Sequence, residues 1–469
     1  MNRHRWWIFL VFIGWLVSGC ERPSLTPTTP VAVAATTRTT APIATPTLAP
    51  TGTPRPTASS TAIPPTSTAT FTPSPTPFFN GTLSPPCGLI LPILSTNSLP
   101  VIDTLTPDEA AMQRLRERIP DAALPALLHL LAEPDHVGLA AYRLGQEADG
   151  AYLNADVPMP LASVAKVINL VAYAEAVSTG SLDPLQTVAL ADLEAFYLPG
   201  LDLGAHTQAI TTLTENGRIF GDPPNVVLDA VPEMMIHYSS NAASDYLHML
   251  LGQQVVEETA VSLNLTSQTA PCPFVGQFLA MANYTRANNN DVTAIRQFAD
   301  APAEYGAYAM LLTDAYSNDP DFRAAQIDWR QQARRPKLEA QRLFTALLNP
   351  QGSAADYARL MARIASNGLS NGDSSYIARR YLEWPMQFSA NQALFTNLGY
   401  KNGSLPGVLT TVYYAYPIDN PTPIVVALFF HDLPNQTYQQ WRRNLPHDEL
   451  ARWLLYDPEA ITILRDVLK

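Results

Sequence analysis

A chain of 469 residues with 41 Asp and Glu against 29 Lys and Arg carries a formal net charge of −12. That acidic balance, with no basic patch, argues against nucleic acid as a partner, and the length leaves room for more than one domain once stretches unable to form a core are set aside. Three cysteines and eight scattered histidines, without a CxxC or HExxH spacing, give no sign of a metal centre, so neither metal nor cofactor is expected.

The chain begins with Arg3 and Arg5 ahead of an apolar run from Trp6 to Gly19. The run is short for a membrane span and right for a secretory leader. Its end, Leu16-Val17-Ser18-Gly19-Cys20, resembles the bacterial lipoprotein box, which implies a leader over residues 1–20 and lipid on Cys20. An uncleaved signal-anchor is the alternative. Both readings predict an exported protein tethered to the outer face of a bacterial cytoplasmic membrane or the cell surface. Residues 21–78 are dominated by Thr, Pro, Ser and Ala, as in TPTLAPTGTPRPT. Such a segment cannot bury enough apolar surface to offset its ordering entropy, so it is expected to be a disordered stalk, reaching roughly 150 Å if mostly polyproline-like. Residues 79–135 are expected to be a lead-in with a helix, and 136–469 the main domain. With Cys20 assigned to lipid, Cys87 and Cys272 remain as a possible disulfide in an oxidising compartment, though sequence alone does not bring them together.

Thr106-Pro107-Asp108-Glu109 predicts a helix start, with a polar cap, an early proline and acids near the positive end of the dipole. Val137 to Tyr142 and Gly150 to Leu153 predict two short strands joined by a turn around Glu147 to Gly150. From Leu161 to about Tyr381 the pattern is mainly helical; Asp356 to Ile364 has helical apolar spacing and ends at Asn367-Gly368. At the start of this region Ser163 and Lys166 stand three apart and share one helix face. Ser239 and Asn241 precede an amphipathic helix, where taken alone they read as a cap. Lys401-Asn402-Gly403 leads into VLTTVYYAY, where taken alone Asn-Gly reads as a hairpin turn. Val408 to Tyr416 and Ile424 to Phe430 predict strands around an Asp419-Asn420-Pro421 turn, and the second, apolar throughout, needs cover on both faces. Leu450, Trp453, Leu454, Ile461, Leu464 and Leu468 form a helical stripe able to cover one of them. Strands, a long helical insertion, more strands and closing helices predict a two-lobed α/β fold whose early and late strands share one antiparallel sheet, with a cleft at the lobe junction.

The three motifs S-x-x-K, S-x-N and K-x-G, in this order and in these settings, resemble the serine β-lactamases and penicillin-binding proteins, nearest the class A β-lactamase-like branch, over about His136 to Asp432. The resemblance implies a β-lactamase-like fold, an antiparallel sheet flanked by terminal helices with an inserted all-helical lobe. It implies that Ser163 attacks a β-lactam or related amide or ester to form an acyl-enzyme, that Lys166 takes the serine's proton, and that Ser239 relays a proton to the leaving nitrogen. Asn241 would hold the substrate's amide side chain, Lys401 its carboxylate with Gly403 beside it, and the N–H groups of Ser163 and Ser404 the oxyanion. The function so implied is an exported serine hydrolase, monomeric, acting on a small-molecule or peptidoglycan-derived substrate. The alternatives are a D-alanyl-D-alanine carboxypeptidase-like or esterase activity, and a non-turnover sensor or binding lipoprotein.

Gly368-Leu369-Ser370-Asn371-Gly372 also matches the G-x-S-x-G elbow, but that elbow needs a preceding strand where the pattern here predicts a helix. His237 and His431 are expected to be structural. Class A enzymes carry a deacylating glutamate after the S-x-N helix, yet Leu263 to Asn290 contains no Glu or Asp; Asp291 and Glu304 lie further along. An extra polar stretch, Tyr197 to Asn225, and a long interval between Asn241 and Lys401 leave substrate choice open.

Overall fold

Five antiparallel strands build the central sheet, in the spatial order Ala151–Leu153, Val137–Arg143, Ile424–Phe430, Val408–Pro417 and Phe395–Leu405. The computed structural model describes residues 87–88, 105, 107–265, 267–286, 291–332 and 336–468; the leader, Cys20, the Thr/Pro-rich segment and Thr106 lie outside the described residues. Early and late strands meet where Val137 pairs with Phe430 and Leu139 with Leu428. Ile424–Phe430 is buried at every position because its alternate side chains enter two different cores. Val425, Ala427 and Phe429 face the helical lobe, against Lys166–Ser178 and Ala354–Ala365. Val426, Leu428 and Phe430 face the terminal helices, where Leu450, Trp453, Leu454 and Leu464 meet Leu115 and Leu127 from Glu109–Arg118 and Leu124–Ala132. The first of these helices is capped by Asp108, whose carboxylate accepts from Ala111 N at 2.9 Å.

The helix Lys166–Ser178 is buried without interruption from Lys166 to Ala174. It runs through the middle of the helical lobe, so the residues at its start face the lobe junction with little room to move. A third core, separate from the other two, contains Cys87, Cys272, Phe274, Phe278, Tyr305, Tyr316 and Phe344 and belongs to the long interval before Lys401. Cys87 and Cys272 form a disulfide within it, with Cα atoms 5.0 Å apart. Among the described residues no helix is long and apolar enough to cross a membrane.

Two readings of short motifs are settled by these elements. Asn402-Gly403 is no turn: both residues lie inside Phe395–Leu405, paired with Thr411 and Thr410, and the hairpin turns at Pro406-Gly407, where Gly407 has φ +86°. Ser370 follows the helix Ala354–Ala365 and precedes Gly372–Leu382, whose first turn Asn371 caps through Ser374 N at 2.8 Å. A strand-to-helix elbow is therefore absent there.

Candidate active site

Ser163 sits on a 3-10 turn, Ala162–Ala165, which runs directly into the buried helix Lys166–Ser178. Just before it, Ala162 takes the left-handed conformation, φ 49°, a placement that costs a non-glycine residue about 1–2 kcal/mol. Three hydrogen bonds from two distant segments hold it there. Asn349 Oδ1 accepts from Ala162 N at 2.9 Å, Leu161 N donates to Pro350 O at 2.9 Å, and Thr410 Oγ1 donates to Leu161 O at 2.8 Å. Gly403 completes the fit: a Cβ on it would stand 2.7 Å from Ser163 N and 2.6 Å from Leu161 O. The edge strand thus lies flush against the backbone that presents the serine.

Ser239 closes a widened, π-type helical turn, Met234–Tyr238, in the left-handed conformation at φ 70°. Its neighbour Ser240 caps the next helix, Asn241–Leu251, accepting from Ala243 N at 3.1 Å, and also meets His206 Nδ1 at 2.9 Å. The cap reading thus belongs to Ser240. Ser239 is left to face two cations: Lys401 Nζ donates to its Oγ at 3.0 Å and Lys166 Nζ approaches the same oxygen at 3.4 Å. Lys166 Nζ also donates to Ser239 O at 2.6 Å and to Asn241 Oδ1 at 2.7 Å, and lies 4.7 Å from the centre of the Phe274 ring. Lys401 Nζ donates to Asn402 O at 2.8 Å. Ser163 Oγ makes no hydrogen bond among the described residues, so in this state Lys166 is engaged with Ser239 and Asn241 rather than with the serine three residues before it.

The electrostatics follow from burial. Lys166 is fully buried, which pulls its ammonium down to about 7 despite the opposing charges of Asp202 and Asp245. Lys401 is held well below the usual lysine range, by burial first and then by the Lys166 ammonium, against Asp448. Asp245 is raised to about 7 by burial, opposed by the N–H groups of Val275 and Phe274 and by Lys166. A lysine that is half neutral near pH 7 is able to accept a proton, and a second cation next to a serine hydroxyl favours that oxygen as a relay.

Ser163, Lys166, Ser239, Asn241, Lys401 and Gly403 are thus brought to one place. Ser404 follows Gly403 on the same strand, and its hydroxyl meets Tyr438 at 3.0 Å. Sequence reasoning missed Asn349, Asp202, Asp245 and Phe274, none of which stands at a motif spacing. Asp291 starts a helix near Arg286 and Glu304 is exposed; the carboxylates whose charge reaches Lys166 are Asp202 and Asp245. His237 packs against Trp384 at a tilt, with ring centroids 4.4 Å apart, and His431 meets Asp432 at 2.9 Å.

Beside Asn241 a narrow, mostly apolar cleft is lined by Phe196, Leu198, Asp202, Val275 and Phe278, where the extra stretch meets the long interval. A separate hollow of about 420 Å³ is lined by Asp229, Glu233, His237, Arg380 and Trp384, among others, and by none of the catalytic candidates. Its charges are matched in pairs, Arg380 with Asp229 and Arg218 with Glu233.

The chain is similar to several solved structures. A β-lactamase from Sphaerobacter thermophilus is 18% identical, with a TM-score of 0.44 over 71% of this chain and 98% of that one. A β-lactamase from Chitinophaga pinensis is 15% identical, at 0.41 over 72% and 99%, and PBP-A is 13% identical, at 0.39 over 74% and 98%. No curated protein matches the chain in sequence. The profile of the family described as "Beta-lactamase enzyme family" matches residues 121–447, well over half of the chain and all of the site just described, and the chain belongs to that family.

Proposed function

We propose that this protein is an exported serine hydrolase that forms an acyl-enzyme at Ser163 with β-lactams or with related D-alanyl amides and esters. The observation that supports it most directly is the pair of buried lysine amines, Lys166 and Lys401, converging on Ser239 Oγ beside the turn that carries Ser163. In this reading neutral Lys166 takes the Ser163 proton as the oxygen attacks the carbonyl carbon. The oxyanion is received by the N–H groups of Ser163 and Ser404, and Ser239 delivers a proton to the leaving nitrogen. Asn241 holds the acyl side chain and Lys401 the substrate carboxylate. The lipid on Cys20 and the Thr/Pro-rich stalk tether the domain outside the cytoplasmic membrane, within reach of wall-derived substrates.

One observation favours slow release of the acyl group. The stretch Leu263 to Asn290 has no carboxylate, and it is Phe274 from this stretch that lies over Lys166. The test is intact mass against time with a penicillin, beside Ser163→Ala. A Ser163-dependent adduct that outlasts many minutes fits a penicillin-binding peptidase or sensor; drug consumed without accumulation of adduct marks a β-lactamase. Neither adduct nor consumption would remove β-lactams and leave ester or peptide substrates.

A further inference from the structure

Lys166 is covered by a short turn that is tied down from several directions. Cys272 opens it, bonded to Cys87, and Phe274 closes over Lys166 Nζ. Asp245, on the S-x-N helix, accepts from Phe274 N at 2.6 Å and from Val275 N at 2.7 Å, so one carboxylate takes two first-turn N–H groups of the helix Phe274–Met281. Gln277 Nε2 donates to Cys272 O at 2.6 Å and Gln253 Nε2 to Pro271 O at 3.0 Å. On the far side the fit is as close. A Cβ on Gly306 would stand 1.7 Å from Cys87 O, and one on Gly276 would stand 2.1 Å from Ala309 O. Both Cys87 and the Phe274 helix are therefore pressed onto the helix Pro302–Asn318 with only glycine between.

The geometry points to a positioning role for this clamp: the Cys87–Cys272 disulfide and Asp245 together hold the Phe274 ring against Lys166, and that dry cover is what readies the lysine to take a proton from Ser163. The inference rests on the reading of Lys166 as the base. It goes beyond that reading in making Asp245, Phe274 and a redox-sensitive bond set the reactivity of the site.

The charges that face Lys166 are Asp245 on the S-x-N helix, Asp202 on the extra stretch and Lys401 on the edge strand; the turn itself contributes no charge, only the ring. Loosening the turn admits water, and hydration favours the Lys166 ammonium and the Asp245 carboxylate alike. The lysine's midpoint then moves up, so acylation at pH 7 falls while acylation at high pH persists. Reducing the disulfide and changing Phe274→Ala both act this way, whereas Phe274→Leu keeps an apolar cover.

The chain has only four lysines, Lys166, Lys337, Lys401 and Lys469, so the ¹³Cε signals of lysine-labelled full-length protein are resolvable. Lys337→Arg, Lys469→Arg and Lys401→Arg variants assign them. The expected result is a Lys166 midpoint near 7 in the oxidised protein. It should rise by about one unit or more in Phe274→Ala and in the reduced chain, with a matching fall of about fivefold or more in Ser163 acylation at pH 7. Phe274→Leu should stay close to the parent. Circular dichroism confirms which samples are folded, and Phe274→Leu combined with Cys87→Ser and Cys272→Ser supplies a milder second route to the same loosening. An ordinary lysine midpoint in the oxidised protein, or an unchanged midpoint in folded variants, overturns the clamp. Because the titration needs no substrate, it is independent of whether an acyl adduct forms, and absence of the adduct counts against the proposed function alone.

Discussion

Gly403 is the glycine whose replacement bears directly on the turn that carries Ser163. A methyl group there meets Thr410 Oγ1 and, on the backbone, Leu161 O and Ser163 N, so the turn carrying Ser163 must shift or the edge strand must back away. Displacements of about 1 Å at a reacting group cost on the order of 10²-fold in rate. Gly403→Ala is therefore expected to lower Ser163 acylation by that order, which stopped-flow or mass kinetics with a penicillin will check, and to cost about 1–3 kcal/mol in urea unfolding. Lys166 gives the second expectation at this scale. In the proposed function its neutral form is the base, and burial lowers its midpoint to about 7, so acylation should rise with pH through 7 and level off above, with the rising limb lost in Lys166→Ala. Six of the converging residues were legible because three short motifs name them. Asn349 was not, since its task is to accept one N–H from Ala162, 187 residues away in sequence, and nothing local in "LLNPQG" announces that. Replacing it by leucine leaves that buried donor unpaired, a loss of about 1–3 kcal/mol that denaturant unfolding would register.

At the scale of elements, the strands and closing helices were readable wherever one periodicity dominated. Ile424–Phe430 declared itself because a strand buried on both faces has no polar position, and the stripe through Trp453 and Leu464 declared itself by helical spacing. The element that presents Ser239 did not. Met234–Tyr238 is a widened helical turn ending in a left-handed serine, a geometry with no side-chain period to betray it. The lead-in was expected to precede the domain, yet its two helices pack into the same core as the terminal ones, burying Leu115 and Leu127 against the sheet. That shared core gives an expectation separable from catalysis. Trp453 is fully buried on the sheet face opposite the site, so Trp453→Ala should cost about 3–5 kcal/mol in urea unfolding. The acylation rate per folded molecule should hardly change, because the first core and the Lys166–Ser178 helix lie on the other face.

Over the whole molecule, the third core was the least legible part, because its helices have modest polar patterning and its partner segment, Cys87, lies far away along the chain. The disulfide joins positions 185 apart, and a cross-link of that span restricts the unfolded chain far more than the folded one. The chain-entropy account puts the gain at about 5 kcal/mol for so long a loop. Reduction is thus expected to lower the urea midpoint substantially while the slope with denaturant, which follows the surface exposed on unfolding, grows as the unfolded state expands. The same reduction acts on the site by a different route, through the Phe274 cover. The two effects separate in one experiment: at urea concentrations below the reduced transition, a fall in acylation at pH 7 that is recovered at pH 9 belongs to Lys166. A fall that persists at both pH values and tracks the loss of circular dichroism belongs to the fold.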